Sequence, residues 1–420
     1  MSSELRDALP ELTSRLIKIP SVNPPGLTIN VAGFIRDWLN SQGLTSEVRE
    51  YVKDKPNIIA KVGKGKPTLI LNGHMDVVPP GDETKWTHPP FSGKIIEDKV
   101  YGRGATDMKG GLAVIMTVFA ELAPIIEKTG SGTLIFSATV DEETGGHAGV
   151  EALVKDGILS GDAAIIAEPS GSTRYYIGEK GLCQIKLIAR GRPAHGSLPI
   201  LGDNAIMKLT RAIEKAESLI KEFNRTIKIP NDLTEAVKNS AEVYLEVTKS
   251  MGLNAALNDI ETMITTTTFN PGVIRGGSKV NVVPDYAELE LDMRVPPGVS
   301  PNQVIDYLKR GLEGLVDVDI IDTSEPNYTN PSEAITRLVH EGIERILNES
   351  PRPIIVTGAT DGRYLRDRGV PTVVYGPGEL ALAHAYDEYV TINDLLKAHD
   401  VMIYVIKKFF NIGLEAKLLI

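Results

Sequence analysis

The sequence predicts an α/β protein, a mixed-sheet domain interrupted by an inserted ferredoxin-like α+β domain. Two observations lead there. Short apolar, β-branched runs alternate with amphipathic helical stretches, and again and again such a run stops at a histidine or an acid. Residues 178–322 instead read strand, helix, strand, strand, helix, strand, the split order of a ferredoxin-like domain, and lack clustered acids. A chain of 420 residues exceeds one ordinary core. The expected division is a first domain in two parts, 1–177 and 323–420, around an inserted domain at 178–322.

Taken in order, Leu5, Leu9, Leu12, Leu16 and Ile17 recur at helical spacing up to Pro20, so one amphipathic helix is expected first. Ser21 to Gly26 is a proline-rich turn. A second helix begins near Asn30 and ends at Gly43. Short strands follow at Thr45 to Glu50, Asn57 to Val62 and Thr68 to Asn72, the last delivering His74 and Asp76. A hairpin is expected over Lys94 to Tyr101. After it comes Gly102-Arg103-Gly104-Ala105-Thr106-Asp107-Met108-Lys109-Gly110-Gly111, leading into an apolar helix from Leu112 to Leu122. This turn is not a nucleotide motif, because G-x-G-x-x-G needs a third glycine where Asp107 stands and no P-loop is present. Standing alone before a helix, Asp107 is expected to be a cap.

Gly132 to Val140 is a strand ending in Asp141-Glu142-Glu143, and Ala163 to Ala167 is another ending in Glu168. Three adjacent acids launched by a buried strand repel one another unless cations sit among them. In the insertion, strands are expected at Cys183 to Ala189, Met263 to Phe269, Tyr286 to Val295 and Val316 to Ile321, with helices from Asn204 to Phe223 and Ser300 to Leu315. A helix from Ala334 to Leu347, strands at Pro353 to Thr357 and Pro371 to Tyr375, and a last helix from Asn393 to Phe410 complete the chain. His340-Glu341 begins like a zincin helix, but the fifth residue is Glu344.

Composition narrows the function. A formal charge of -10 and a pI near 5.4 argue against a nucleic-acid binder. The opening residues carry acids and no apolar segment, and no window is expected to span a membrane, so a cytoplasmic protein is expected. Cys183 is the single cysteine, which leaves nitrogen and oxygen as metal donors. In open α/β sheets, sites form beyond the carboxyl ends of strands, where His74, Asp107, Glu142, Glu143, Glu168 and His384 all fall. Two imidazoles and several carboxylates suit zinc, cobalt or manganese, and a bridging carboxylate would let them serve two ions.

These residues resemble the di-zinc aminoacylase and carboxypeptidase hydrolases, a family that includes succinyl-diaminopimelate desuccinylase and acetylornithine deacetylase. The resemblance rests on Gly73-His74-Met75-Asp76, Gly102 to Gly111, Asp141-Glu142-Glu143, Glu168-Pro169 and Ala383-His384 with Asp387-Glu388. It implies a metallopeptidase-like catalytic domain with an inserted lid and dimerisation domain. It implies two divalent ions, most often zinc, with Asp107 bridging, His74 and Glu168 on one ion, and Glu143 and His384 on the other. Glu142 would be the general base and Asp76 would orient His74. His195 would stabilise the oxyanion, often from the partner subunit of a homodimer, and Asn281, Arg294, Gly358 and Thr360 would contact substrate. The substrate would be a small N-acyl amino acid or diamine, alternatively a short peptide. One departure stands out. Desuccinylases tend to carry a basic pair where this chain has Glu179-Lys180-Gly181, which puts a dianionic succinyl group in doubt.

Overall fold

A computed structural model describes residues 2–250 and 252–413 as a mixed α/β protein. They form two compact units. One comprises the residues up to Ile177, Thr329–Ile354 and the segment from Thr360 onward; the other comprises Gly178–Tyr328 with Ile355–Ala359. Ile355–Ala359 belongs to the second unit through the Ile355 N–H, which donates to Ser240 Oγ at 2.8 Å, and the Thr357 N–H, which donates to Tyr244 Oη at 3.1 Å.

The sheet of the first unit runs Ser46–Val52, Lys55–Gly63, Thr133–Thr139, Thr68–His74, Ala163–Ile166, Thr372–Val374, Arg174–Glu179. Its middle four strands are mutually parallel. Register puts His74 opposite Thr139, Asn72 opposite Ile166 and Val374 opposite Ile166, so all four strands stop along one edge. Strands buried on both faces read as continuous apolar runs, as Leu69-Ile70-Leu71 and Ala163 to Ile166 do. The helix Gly110–Thr129 passes through this core with its first eleven residues buried. Together with the turn before it, Ala105–Thr129 is long and apolar enough to cross a membrane, contrary to the sequence expectation, but 78% of its apolar 18-residue stretch is buried inside the protein, as befits a core helix.

The second unit has an antiparallel sheet in the order Asn270–Gly276, Tyr286–Val295, Gly181–Arg190, Asp317–Ser324. Residues of Tyr286–Val295 alternate between buried and part-exposed, the period-two pattern of a sheet covered on one face. The covering helices are Ala205–Asn224 and Pro301–Leu312, whose Leu209 and Leu308 pack with Leu187 and Leu289. This is the expected split β-α-β arrangement with one correction. Met263 to Phe269 is not a strand: Leu257–Thr265 is a helix, and the edge strand begins at Asn270. Ile260 and Ile264, four apart, pack on Val237 and Ala241 of a further helix, Thr234–Ser250, which the sequence reading passed over. The expected single opening helix is also two, Ser2–Asp7 and Leu9–Ile17, with Ala8 between them.

Close approach of the Gly110–Thr129 helix to the sheet depends on Gly111. A Cβ there would lie 1.8 Å from the Ala167 carbonyl oxygen, one residue before Glu168. Gly111→Ala is expected to destabilise the protein by about 1–3 kcal/mol, read as a lower urea midpoint. Gly33→Ala, within the helix Ile29–Ser41 and with nothing within 4 Å, is expected to stabilise the protein by roughly 0.4–1 kcal/mol, read as a higher urea midpoint.

Candidate metal centre

Acids at the edge of the parallel strands and in the loops beside it gather around two imidazoles. His74 ends its strand and is buried, with Nδ1 2.9 Å from the Asp76 carbonyl oxygen, a contact that aims Nε2 at the carboxylates. His74 Nε2 lies 3.1 Å from Asp107 Oδ1 and 3.3 Å from Glu168 Oε1. On the other side, His384 Nε2 lies 3.3 Å from Asp107 Oδ2 and 3.3 Å from Glu143 Oε2. Asp107 thus turns one oxygen to each imidazole, and it is not the expected helix cap: the Gly110–Thr129 helix begins without a side-chain cap. Donors held about 2.0–2.1 Å from one tetrahedral ion stand about 3.3 Å apart, and these four separations match that edge. Ligand atoms of His74, Asp107 and Glu143, and separately of His74, Glu142 and Glu168, lie within 4.8 Å of one another.

The electrostatics point the same way. Burial alone would lower His74, but the charge of Glu168 and hydrogen bonds to Asp107 and Glu168 hold it well above its ordinary value. Hydrogen bonds to Asp107 and Glu143 raise His384 to about 10. Burial pushes Glu168 up to about 8, and it pushes Glu142 well above the carboxylate range, with Glu168, Asp361 and Glu143 adding to it against His74. Burial would raise Asp107, yet its two imidazoles hold it low. Asp107, Glu142, Glu143 and Glu168 crowd two imidazoles, a buried surplus of negative charge that divalent cations would neutralise. The residues present therefore fit a metal pair.

Glu142 stands apart from the closest set, with Oε2 3.9 Å from His74 Nε2. The turn that carries it is fixed from below. Asp76 has its carboxylate Oδ1 3.7 Å from His74 Nδ1, but its closer partners are the Glu142 N–H at 3.3 Å, the Glu143 N–H at 3.2 Å and the Asn23 amide at 2.8 Å. The first acid of the run, Asp141, turns away to Lys55 Nζ at 2.8 Å. Asp361, which the sequence reading did not single out, is buried against the same turn, with Oδ2 3.4 Å from Thr139 Oγ1, and burial lifts it to about 7. Arg363 beside it donates to the Gly145 carbonyl at 2.8 Å. Asn23 and Asp361 carry no local signal, since each lies in a turn rather than at a strand end.

Of the other expected site residues, Thr360 is in the first unit, nearly buried, with Oγ1 accepting from the Gly362 N–H at 3.2 Å. His195, Asn281, Arg294 and Gly358 belong to the second unit. His195 and Asn281 are neighbours there: His195 pairs with Val282, and the Gly196 N–H donates to the Asn281 carbonyl at 2.7 Å. His195 is exposed, with Nδ1 2.7 Å from Ser197 Oγ. Arg294 donates from Nε to Asp292 Oδ1 at 3.0 Å. Glu179 accepts from the Asn327 amide at 3.1 Å, and buried Lys180 donates to the carbonyls of Met263 and Thr266 at 2.6 Å each.

Comparison with known proteins finds relatives along most of the chain. Two Staphylococcus aureus proteins named probable succinyl-diaminopimelate desuccinylase are similar to the chain. That of strain MRSA252 is 31% identical over 386 residues, covering 89% of this chain and 91% of the relative, and that of strain MSSA476 is 32% identical over 383 residues with the same coverage. An uncharacterized metallohydrolase of Methanocaldococcus jannaschii is 26% identical over 435 residues, covering 94% and 98%. Among solved structures, an M20 family metallo-carboxypeptidase from Sulfolobus solfataricus shares the fold with a TM-score of 0.77 at 22% identity, covering 95% of this chain and 98% of that one. A di-peptidase from Saccharomyces cerevisiae does so with a TM-score of 0.74 at 16% identity, covering 98% of each. The profile of peptidase family M20/M25/M40 matches residues 70–408, a span that runs from the His74 strand to the last helix, and the chain belongs to that family of metallohydrolases.

Proposed function

We propose that this hydrolase removes the acyl group from an N-acyl amino acid or N-acyl diamine, with Glu142 as general base beside a pair of divalent ions. The observation that carries this reading is the division of labour in the acid run: Glu143 lies with His384 and Asp107, whereas Glu142 stands 3.9 Å from His74 and outside the closest set. Asp107 would bridge the ions, His74 and Glu168 would complete one, and Glu143 and His384 the other. Zinc suits these nitrogen and oxygen donors best, with cobalt and manganese compatible. Four ionised carboxylates balance two dications in charge. When bound, such a pair acidifies a water and polarises a carbonyl.

The chain's own groups supply the rest. Glu142 takes a proton from the attacking water and returns it to the leaving nitrogen as the C–N bond breaks, so a carboxylate and an amine are released. Asp76 orients His74 through its carbonyl and sets the height of Glu142 through the backbone N–H groups it accepts. His195 would donate to the oxyanion of the tetrahedral intermediate, and Asn281, Arg294, Gly358 and Thr360 would contact substrate, Arg294 sharing its guanidinium with Asp292. We read the second unit as a lid and as the contact of a homodimer. Supporting this, its edge strand Asn270–Gly276 is exposed throughout, and Ile274, Ile200 and Leu201 are 63%, 88% and 61% exposed. A lone buried cysteine accords with a cytoplasmic setting.

The acyl group is better taken as short and uncharged than as succinyl. Lys180, the only cation of Glu179-Lys180-Gly181, is spent on two carbonyls. A carboxypeptidase or dipeptidase activity is the second reading, favoured by the peptidase names of the Sulfolobus and yeast neighbours.

Assayed against N-acetylornithine, N-acetyl-lysine, N-succinyl-diaminopimelate and a dipeptide panel, the metal-loaded protein is expected to prefer an N-acetyl substrate. Preference for the succinyl compound would refute the argument from Lys180, and hydrolysis of dipeptides alone would favour the second reading. Glu142→Ala is expected to lower kcat about 10²–10⁴-fold with metal content unchanged, and wild-type turnover in this variant would refute the mechanism. His195→Ala is expected to lower kcat by roughly 10²–10³-fold while KM changes little; an effect confined to KM would assign His195 to substrate binding instead.

A further inference from the structure

Two sequence motifs contain charged residues that the proposed chemistry does not use, Arg103 and Glu388. Both are buried, at 2% and 0% exposure, and they pair through Arg103 Nη1 and Glu388 Oε2 at 2.5 Å. What each side chain holds is backbone of the metal centre. Glu388 Oε1 accepts the N–H of Asp107 at 3.0 Å and of Thr106 at 2.9 Å, and Oε2 accepts the N–H of Gly104 at 3.1 Å. Arg103 donates from Nη2 to the His384 carbonyl at 3.2 Å and from Nη1 to the Ala385 carbonyl at 3.2 Å, with its guanidinium 5.1 Å over the Trp86 ring. One ion pair therefore grips the peptide groups of both residues that face each other across the cluster.

The His384 loop needs such a grip. His384 and Asp387 adopt φ of 63° and 52°, a left-handed conformation that non-glycine residues rarely take. Other anchors of the loop bind elsewhere: the Asp387 carboxylate accepts the Thr87 N–H at 2.7 Å, Thr106 Oγ1 donates to the Tyr389 carbonyl at 2.6 Å, and the Gly102 N–H donates to the Glu388 carbonyl at 2.8 Å. None of these reaches the His384 peptide. A buried ion pair adds little net stability, because desolvation offsets the attraction, and here the Arg103 Nε also has no hydrogen-bond partner among the described residues. Fixing one arrangement is the better-attested use of such a pair.

We propose that the Arg103–Glu388 ion pair is a positioning device that sets the separation of Asp107 and His384 and thereby the affinity for the ion on the His384 side. This rests on the reading of both residues as ligands. The pair touches neither substrate nor reacting atoms. It acts through the two backbone segments it joins.

Cobalt(II) titrated into the apo protein, followed by calorimetry and visible absorption, tests this, with folding checked by circular dichroism. In wild-type protein two equivalents are expected to bind. In Glu388→Gln, whose amide cannot accept all four donors, and in Arg103→Lys, which keeps the charge but cannot span two carbonyls, one equivalent should weaken only slightly, through the Asp107 it shares with its neighbour. The other should weaken about 10–100-fold. Arg6→Met is the control, since it removes a distant pair, Arg6 to Asp400 at 2.7 Å, and should change stability only. Unchanged affinity for both equivalents in the two variants overturns the inference alone. Equal weakening of both ions in the variants and in Arg6→Met would reveal a general stability effect and overturns it too. Failure of wild-type protein to bind two ions overturns the reading of the cluster and the inference with it. If Glu388→Gln does not fold, Arg103→Lys decides.

Discussion

Burying several carboxylates at one point is the constraint on which the rest of this structure depends. Asp107, Glu142, Glu143 and Glu168 lie within reach of two imidazoles, and burial drives Glu142 and Glu168 far above ordinary carboxylate behaviour. Isolated charges do not persist in such surroundings; they neutralise, pair or bind cations. Pairing explains part of the cluster, since both histidines are raised and Asp107 is held low. It does not explain all of it, because carboxylates outnumber imidazoles. The surplus is what suits the centre to divalent cations rather than to a hydrogen-bonded core.

The fold meets this constraint by topology. Four parallel strands end in register, so residues 74, 142, 143 and 168 arrive at one edge although the chain separates them widely. Asp107 and His384 come from loops, which need separate restraint. The glycines around Asp107 allow the backbone to approach, as at Gly104, where φ is 84° and a Cβ would meet Val77 at 2.5 Å. Asp76 plays the corresponding part for the acid turn by accepting the N–H groups of Glu142 and Glu143. Backbone held by buried carboxylates thus recurs on both sides of the centre.

How much of this the sequence discloses depends on how local each signal is. Three of the four parallel strands are legible because each is an apolar run that stops abruptly, at His74, Asp141 or Glu168; the fourth, Thr372–Val374, is an apolar run that opens into Gly376-Pro377. The split β-α-β order of the second unit was legible for similar reasons. The Leu257–Thr265 helix reads as part of a strand because threonines crowd its end and their strand propensity masks the four-residue spacing of Ile260 and Ile264. Thr234–Ser250 leaves a weak sequence signal because its apolar face is thin, with Ala236, Val237 and Ala241 among its few buried residues. Asn23, Lys55 and Asp361 could not be read at all, since their partners Asp76, Asp141 and Thr139 are distant in sequence. Arg103 and Glu388 stand in motifs that sequence does single out, yet only three dimensions reveal that they grip the same two loops.

The reading of the cluster as a two-ion centre is tested most directly by anomalous diffraction from crystals of the protein grown with zinc. Two peaks about 3.5–4 Å apart are expected, one beside His74 and Glu168, the other beside Glu143 and His384, with Asp107 between them. Absence of anomalous density among these residues, or a single ion bound by Glu142 in place of Asp107, would contradict it.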